Sequence, residues 1–187
     1  FTAGTPVGVG TSPVAIVADF PADPTDPTRR TPLDLNRDGR TDLVVANAGS
    51  AFLSILYGAE GGGFTVVTRS IPGQATGVTA ADYNQDGRVD LVASRGNDAL
   101  LLVQTGLDGS NQSVFQSSNF AGGTTILALN SAFLNGDRSP DLLLLRGGSA
   151  PLGEAQLFAG GTFTRGGTID VDNPSAAGVG LFNPSDN

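Results

Sequence analysis

Hydrophobic residues fall in short runs of about four to six, bounded by Gly, Asn, Asp or Pro, and runs of that length predict strands rather than helices. The runs come in a repeating order. A first set covers 14–17, 43–47 and 52–57; a second covers 77–81, 91–95 and 99–104; a third covers 126–133, 142–146 and 155–158. After each set a Gly- or Ser-rich turn leads to a phenylalanine, Phe64, Phe115 or Phe163, and Phe1 fits the same series once an insertion at 21–32 is set aside. Four short strands in about 50 residues is the content of one β-propeller blade. The expected fold is therefore all-β, with blades of four antiparallel strands.

The repeat divides the 187 residues into units at 1–63, 64–114, 115–162 and a partial 163–187, about three and a half blades in one propeller-type domain or fragment. Propellers close with roughly four to eight blades, so this chain alone is expected to leave its ring incomplete. Two expectations follow for closure: further blades in a longer chain, or self-association through unpaired terminal strands.

Polar residues repeat as strictly as apolar ones. Asp34-Leu35-Asn36-Arg37-Asp38-Gly39-Arg40-Thr41-Asp42 aligns without gaps on Asp82-Tyr83-Asn84-Gln85-Asp86-Gly87-Arg88-Val89-Asp90. A degenerate third copy runs Phe133-Leu134-Asn135-Gly136-Asp137-Arg138-Ser139-Pro140-Asp141. Alternating oxygen donors on a tight loop suit a hard cation such as calcium, with Gly at position six allowing the sharp turn. The expected ligands are Asp34, Asn36, Asp38, the Arg40 carbonyl and Asp42 in the first loop. In the second they are Asp82, Asn84, Asp86, the Arg88 carbonyl and Asp90. The third loop lacks the first carboxylate and the glycine. It reads as a metal-free remnant, with Asn135, Asp137, Ser139 and Asp141 as the residual donors for a weak ion. Asp19, at the strand end before the insertion, competes with Asp34 for the first-ligand role. One such loop would be an ordinary Asp/Asn turn; two complete copies at blade spacing crowd carboxylates that repel one another unless a cation joins them. An EF-hand is excluded, because Val45 and Ala93 stand where its bidentate Glu belongs.

These loops, each leading into an Asp-Leu-Val or Asp-Leu-Leu strand, resemble the FG-GAP/VCBS repeats of integrin α-subunit propellers and of many bacterial secreted proteins. The resemblance implies a propeller, usually of seven blades, with calcium in the loop joining the first two strands of a blade. It also implies a secreted or cell-surface protein, here expected to be bacterial, that binds a protein or polysaccharide partner. The Phe-Gly and Gly-Ala-Pro elements that name the family are degenerate in this chain.

Composition narrows the function. The formal charge is −8 and the sequence pI about 4.2, and every basic residue is Arg. Such a surface excludes nucleic acid as a partner. No apolar run is long enough for a membrane-spanning helix. Eight of the 18 acidic residues (Asp34, Asp38, Asp42, Asp82, Asp86, Asp90, Asp137 and Asp141) lie in the three loops, so the acidity is concentrated there. With no His, Cys or Lys, the common nucleophile and general-base pairs are missing. Glu60, Asp98, Asp108, Glu154, Asp170 and Asp172 form no paired pattern of the kind glycoside cleavage needs. The expectation is a non-catalytic, calcium-stabilised binding or scaffold module, with calcium as its cofactor. The alternatives are a self-assembling extracellular fibre or surface component, and an accessory propeller domain of a carbohydrate-active enzyme. The insertion reads as an exposed, Pro-stiffened loop on the face of the metal loops: a tolerated surface insertion, or a partner-contact loop with Arg29 and Arg30 as its charged tip.

Overall fold

A computed structural model describes residues 6–23, 25–26, 29–120, 122–134, 137–147, 152–159 and 162–170. It is all-β, with no helix among the described residues. The first sheet is built from β1 (Pro13–Val17), β4 (Leu43–Asn47), β5 (Phe52–Gly58) and β6 (Phe64–Ser70), paired in that order. The second runs β7 (Gly77–Ala81), β8 (Asp90–Arg95), β9 (Asp98–Leu107) and β10 (Ser113–Phe120). The third runs β11 (Ile126–Ala132), β12 (Asp141–Arg146), β13 (Leu152–Ala159) and β14 (Thr162–Asp170). All neighbouring strands are antiparallel. These are propeller-type blades, and none of the three sheets closes on itself as a barrel. The Phe-led strands β6, β10 and β14 end their own sheets, so the repeat units counted from phenylalanine run one strand out of phase with the sheets.

The apolar runs are continuous rather than alternating because the middle sheet is covered on both faces. Leu91, Ala93, Leu100 and Leu102 turn one way and join Val44, Ala46, Leu53 and Ile55 of the first sheet. Val92, Ala99 and Leu101, between them in sequence, turn the other way and pack with Ile126, Leu142 and Leu144 of the third. Phe163 belongs to this second core, edge-on to Tyr83 and stacked on Phe120. Burial falls towards the outer strands: β7 is buried throughout, whereas β6 is mostly exposed.

The insertion is more ordered at its base than a plain loop. Its ends pair as a two-stranded ribbon of β2 (Asp19–Pro21) and β3 (Arg30–Pro32). Arg30 Nε donates to Asp19 Oδ1 at 2.8 Å, and Arg29 approaches Asp23 at 3.6 Å. The ribbon lies towards the second and third loops, where Phe20, Pro21 and Ala22 line a cleft with Asp82, Gln85, Phe133 and Arg138. Both arginines thus have acidic partners, Arg29 in Asp23 within the insertion and Arg30 in Asp19 just before it, and Phe20 packs against the first core.

Candidate metal loops

Each loop joins the first two main strands of its sheet. In the first, the Asp34 carboxylate accepts hydrogen bonds from the backbone amides of Asp38 (3.0 Å) and Gly39 (2.9 Å). Asn36 Oδ1 accepts a second bond from the Asp38 amide, and Asp38 Oδ1 accepts from the Arg40 amide. The second loop reproduces every one of these bonds with Asp82, Asn84 and Asp86. Gly39 and Gly87 sit at φ 79° and 80°, the left-handed turn that position six demands. Arg37 and Gln85, at position four, share the left-handed conformation at φ 58° and 57°. Asp34, not Asp19, is therefore the first loop residue, since Asp19 lies in β2 and pairs with Arg30.

Position nine is also anchored by backbone donors. The Asp42 side chain is fully buried and accepts from the Leu35 amide (2.7 Å) and the Gly58 amide (2.9 Å), tying loop to strand β5. Asp90 is equally buried; its Oδ1 accepts from the Gln104 amide at 2.8 Å, and the Asn84 amide also pulls on the carboxylate, but nothing meets Oδ2 in full hydrogen-bond geometry. Asp141 repeats the staple in the third loop, accepting from the Leu134 amide at 2.9 Å.

The arginines at position seven were expected to contribute only carbonyls, yet their side chains act as well. Arg40 donates through Nη2 to Asp38 Oδ2 and through Nε to the Gly58 carbonyl, both at 2.9 Å. Arg88 does the same to Asp86 (2.6 Å) and to the Gln104 carbonyl (3.0 Å). The recurrence of Arg at a position where any residue offers a carbonyl was the available sequence signal.

The charges respond to these surroundings. Burial opposes ionisation of Asp38 and Asp86, but amide donors and the Arg40 and Arg88 charges hold both below the usual carboxylate range. Burial pushes Asp42 and Asp82 up, and it drives Asp90 to about 7, with the Asp86 and Asp82 charges adding to the rise. A carboxyl raised in the folded state stabilises the fold fully below its unfolded value near 4 and loses that contribution as pH climbs through the folded value. In chelator, the Asp90 carboxyl followed by carbon NMR is expected to titrate near pH 7; a midpoint near the ordinary Asp value would contradict this burial effect.

The residues fit a hard cation in kind: all donors are oxygens, and the buried Asp90 Oδ2 lacks a partner. Among the described residues, no three acidic side chains converge closely enough to share an ion. Asn36 Nδ2 and Arg40 Nη2 both donate to Asp38 Oδ2, and Asn84 and Arg88 do so to Asp86. A bound ion would have to displace the amide donor in each loop and turn the Asn oxygen inward.

In the third loop, Asp137 Oδ1 accepts from the Ser139 amide at 2.8 Å, and Arg138 occupies position six at φ 73°. Position six therefore keeps its left-handed conformation without a glycine. Phe133 lines the cleft beneath the insertion instead of supplying a carboxylate. Asn135 lies outside the described residues.

Comparison with known proteins covers the same segment. No curated protein matches the chain. Residues 34–93, which hold both complete loops and the strands between them, match the family model of the FG-GAP-like repeat. That stretch of the chain is an FG-GAP-like repeat, and it forms part of a β-propeller-type module.

Proposed function

We propose that the chain is a non-catalytic, calcium-stabilised binding or scaffold module that works outside the cell. The observation that carries this reading is that positions one, three and five of two loops 48 residues apart make the same hydrogen bonds around the same oxygen donors. Ordinary turns need one Asp or Asn; these loops hold three carboxylates and an amide each, and in the second loop the buried Asp90 Oδ2 is unpartnered. The calcium is structural, fixing the connection between the first two strands of a sheet rather than meeting a substrate. Extracellular calcium modules bind at about 10⁻⁴ to 10⁻³ M, which matches calcium levels outside cells and not inside them. Localisation at the cell surface or in secretion follows from that range.

Calorimetric titration of the metal-free protein tests the reading. It predicts two calcium ions per chain, with Asp34→Ala and Asp82→Ala each removing one. A stoichiometry of zero at millimolar calcium would contradict it.

A further inference from the structure

Between the two complete loops runs a buried chain of hydrogen bonds. Asp42 Oδ2 accepts from the Leu35 amide; the Leu35 carbonyl accepts from Gln104 Nε2 at 2.8 Å; and the Gln104 amide donates to Asp90 Oδ1. Asp42 and Asp90 are 0 % exposed, Leu35 1 % and Gln104 2 %. Gln104 thus holds the position-nine carboxylate of its own loop with its backbone and the neighbouring loop with its side chain. Its remaining contacts are also committed: Nε2 reaches Ser113 Oγ at 3.1 Å, and its carbonyl accepts from Arg88. Ser113 Oγ donates to the same Leu35 carbonyl, reinforcing the junction.

The equivalent residue in the first sheet shows that an amide is not needed for the staple. Gly58 stands two residues past Leu56, the partner of Leu43, as Gln104 stands two past Leu102, the partner of Leu91. Gly58 donates its amide to Asp42 and accepts Arg40 through its carbonyl with no side chain at all. A buried glutamine is costly unless its polar atoms are matched, and the function left for this one is the link across to Leu35. Arg37 also reaches the Gly87 carbonyl, but at the exposed surface, where competing water weakens it.

We propose that Gln104 couples the first and second loops, so that a cation bound in either loop tightens the other. This rests on the calcium reading above. Ordering of the second loop fixes Asp90, hence Gln104, hence the Leu35 peptide that positions Asp42. By linkage the effect is reciprocal.

The test is a set of calcium titrations by calorimetry on the whole chain. Asp86→Ala, which disables the second loop, is expected to weaken the first by roughly five- to tenfold, and Asp38→Ala to weaken the second by the same factor. In the Gln104→Met background both effects disappear. A second readout is amide exchange: calcium added to Asp38→Ala slows exchange over residues 33–36, and with Gln104→Met added it does not. If Gln104→Met fails to fold, Gln104→Asn keeps the polarity but is too short to reach Leu35. Calcium binding at two independent sites, or coupling that survives removal of the Gln104 side chain, overturns the coupling alone. No calcium binding by the unmodified chain overturns the coupling and the calcium reading together.

Discussion

About 10 mM calcium added to the metal-free protein is expected to raise its melting temperature by roughly 10–20 °C. A site with a dissociation constant of about 10⁻⁴ M is then filled a hundredfold beyond half-saturation, which stabilises the native state by about 2.7 kcal/mol. Two such sites give about 5 kcal/mol, and in a chain of this size each kcal/mol moves the midpoint by about 2–4 °C. The double variant Asp34→Ala/Asp82→Ala should lose the whole rise, because position one orients two amides and, on the calcium proposal, is also a ligand. Magnesium should do far less, since it demands a smaller, near-octahedral shell and gives up its water reluctantly. Equal shifts with calcium and with potassium at matched ionic strength would mean that screening of crowded carboxylates, not coordination, is responsible.

The second large effect concerns Asp42. Asp42→Ala leaves the buried Leu35 and Gly58 amides without acceptors. That change should cost roughly 2–5 kcal/mol of unfolding free energy even in excess chelator. Burial of the carboxyl offsets part of this loss, because the ionised form is disfavoured there. Two stranded N–H groups in a closed site nevertheless outweigh the relief. Asp42→Asn should fall between, since its oxygen serves one amide while its own NH₂ faces the other. Urea denaturation in chelator measures both. If Asp42→Ala keeps its metal-free stability and loses only calcium affinity, position nine is a ligand and not a staple. The staple account also explains the third loop, which lacks the first carboxylate and the glycine but retains Asp141 in the same amide contact.

The blades were legible from sequence because strand length, turn residues and the phenylalanine recur in register. Every strand of the three sheets overlaps a predicted apolar or Phe-led segment. The phase of the sheets was not legible, since a cyclic repeat carries no mark of where pairing begins. The pairing of Asp19 with Arg30 was hidden by the proline-rich composition between them, which reads as loop even though its ends form a ribbon. In the loops, positions one, three and five were readable because they are local: their hydrogen bonds run within five residues. Gln104 was not, because its partner Leu35 lies 69 residues away and a glutamine at the end of an apolar run carries no signal of its own. The guanidinium roles of Arg40 and Arg88 fall between these cases, local towards Asp38 and Asp86 but distant towards Gly58 and Gln104.

The central claim is that two loops of this chain hold calcium and the third does not. A crystal structure grown with calcium, with anomalous differences collected at long wavelength, tests it most directly. Two peaks are expected, one within 34–42 and one within 82–90, each about 2.3–2.6 Å from its oxygen ligands and with Asn36 and Asn84 turned oxygen-first. Loops without peaks, still closed by the Asn36–Asp38 and Asn84–Asp86 hydrogen bonds, would contradict it.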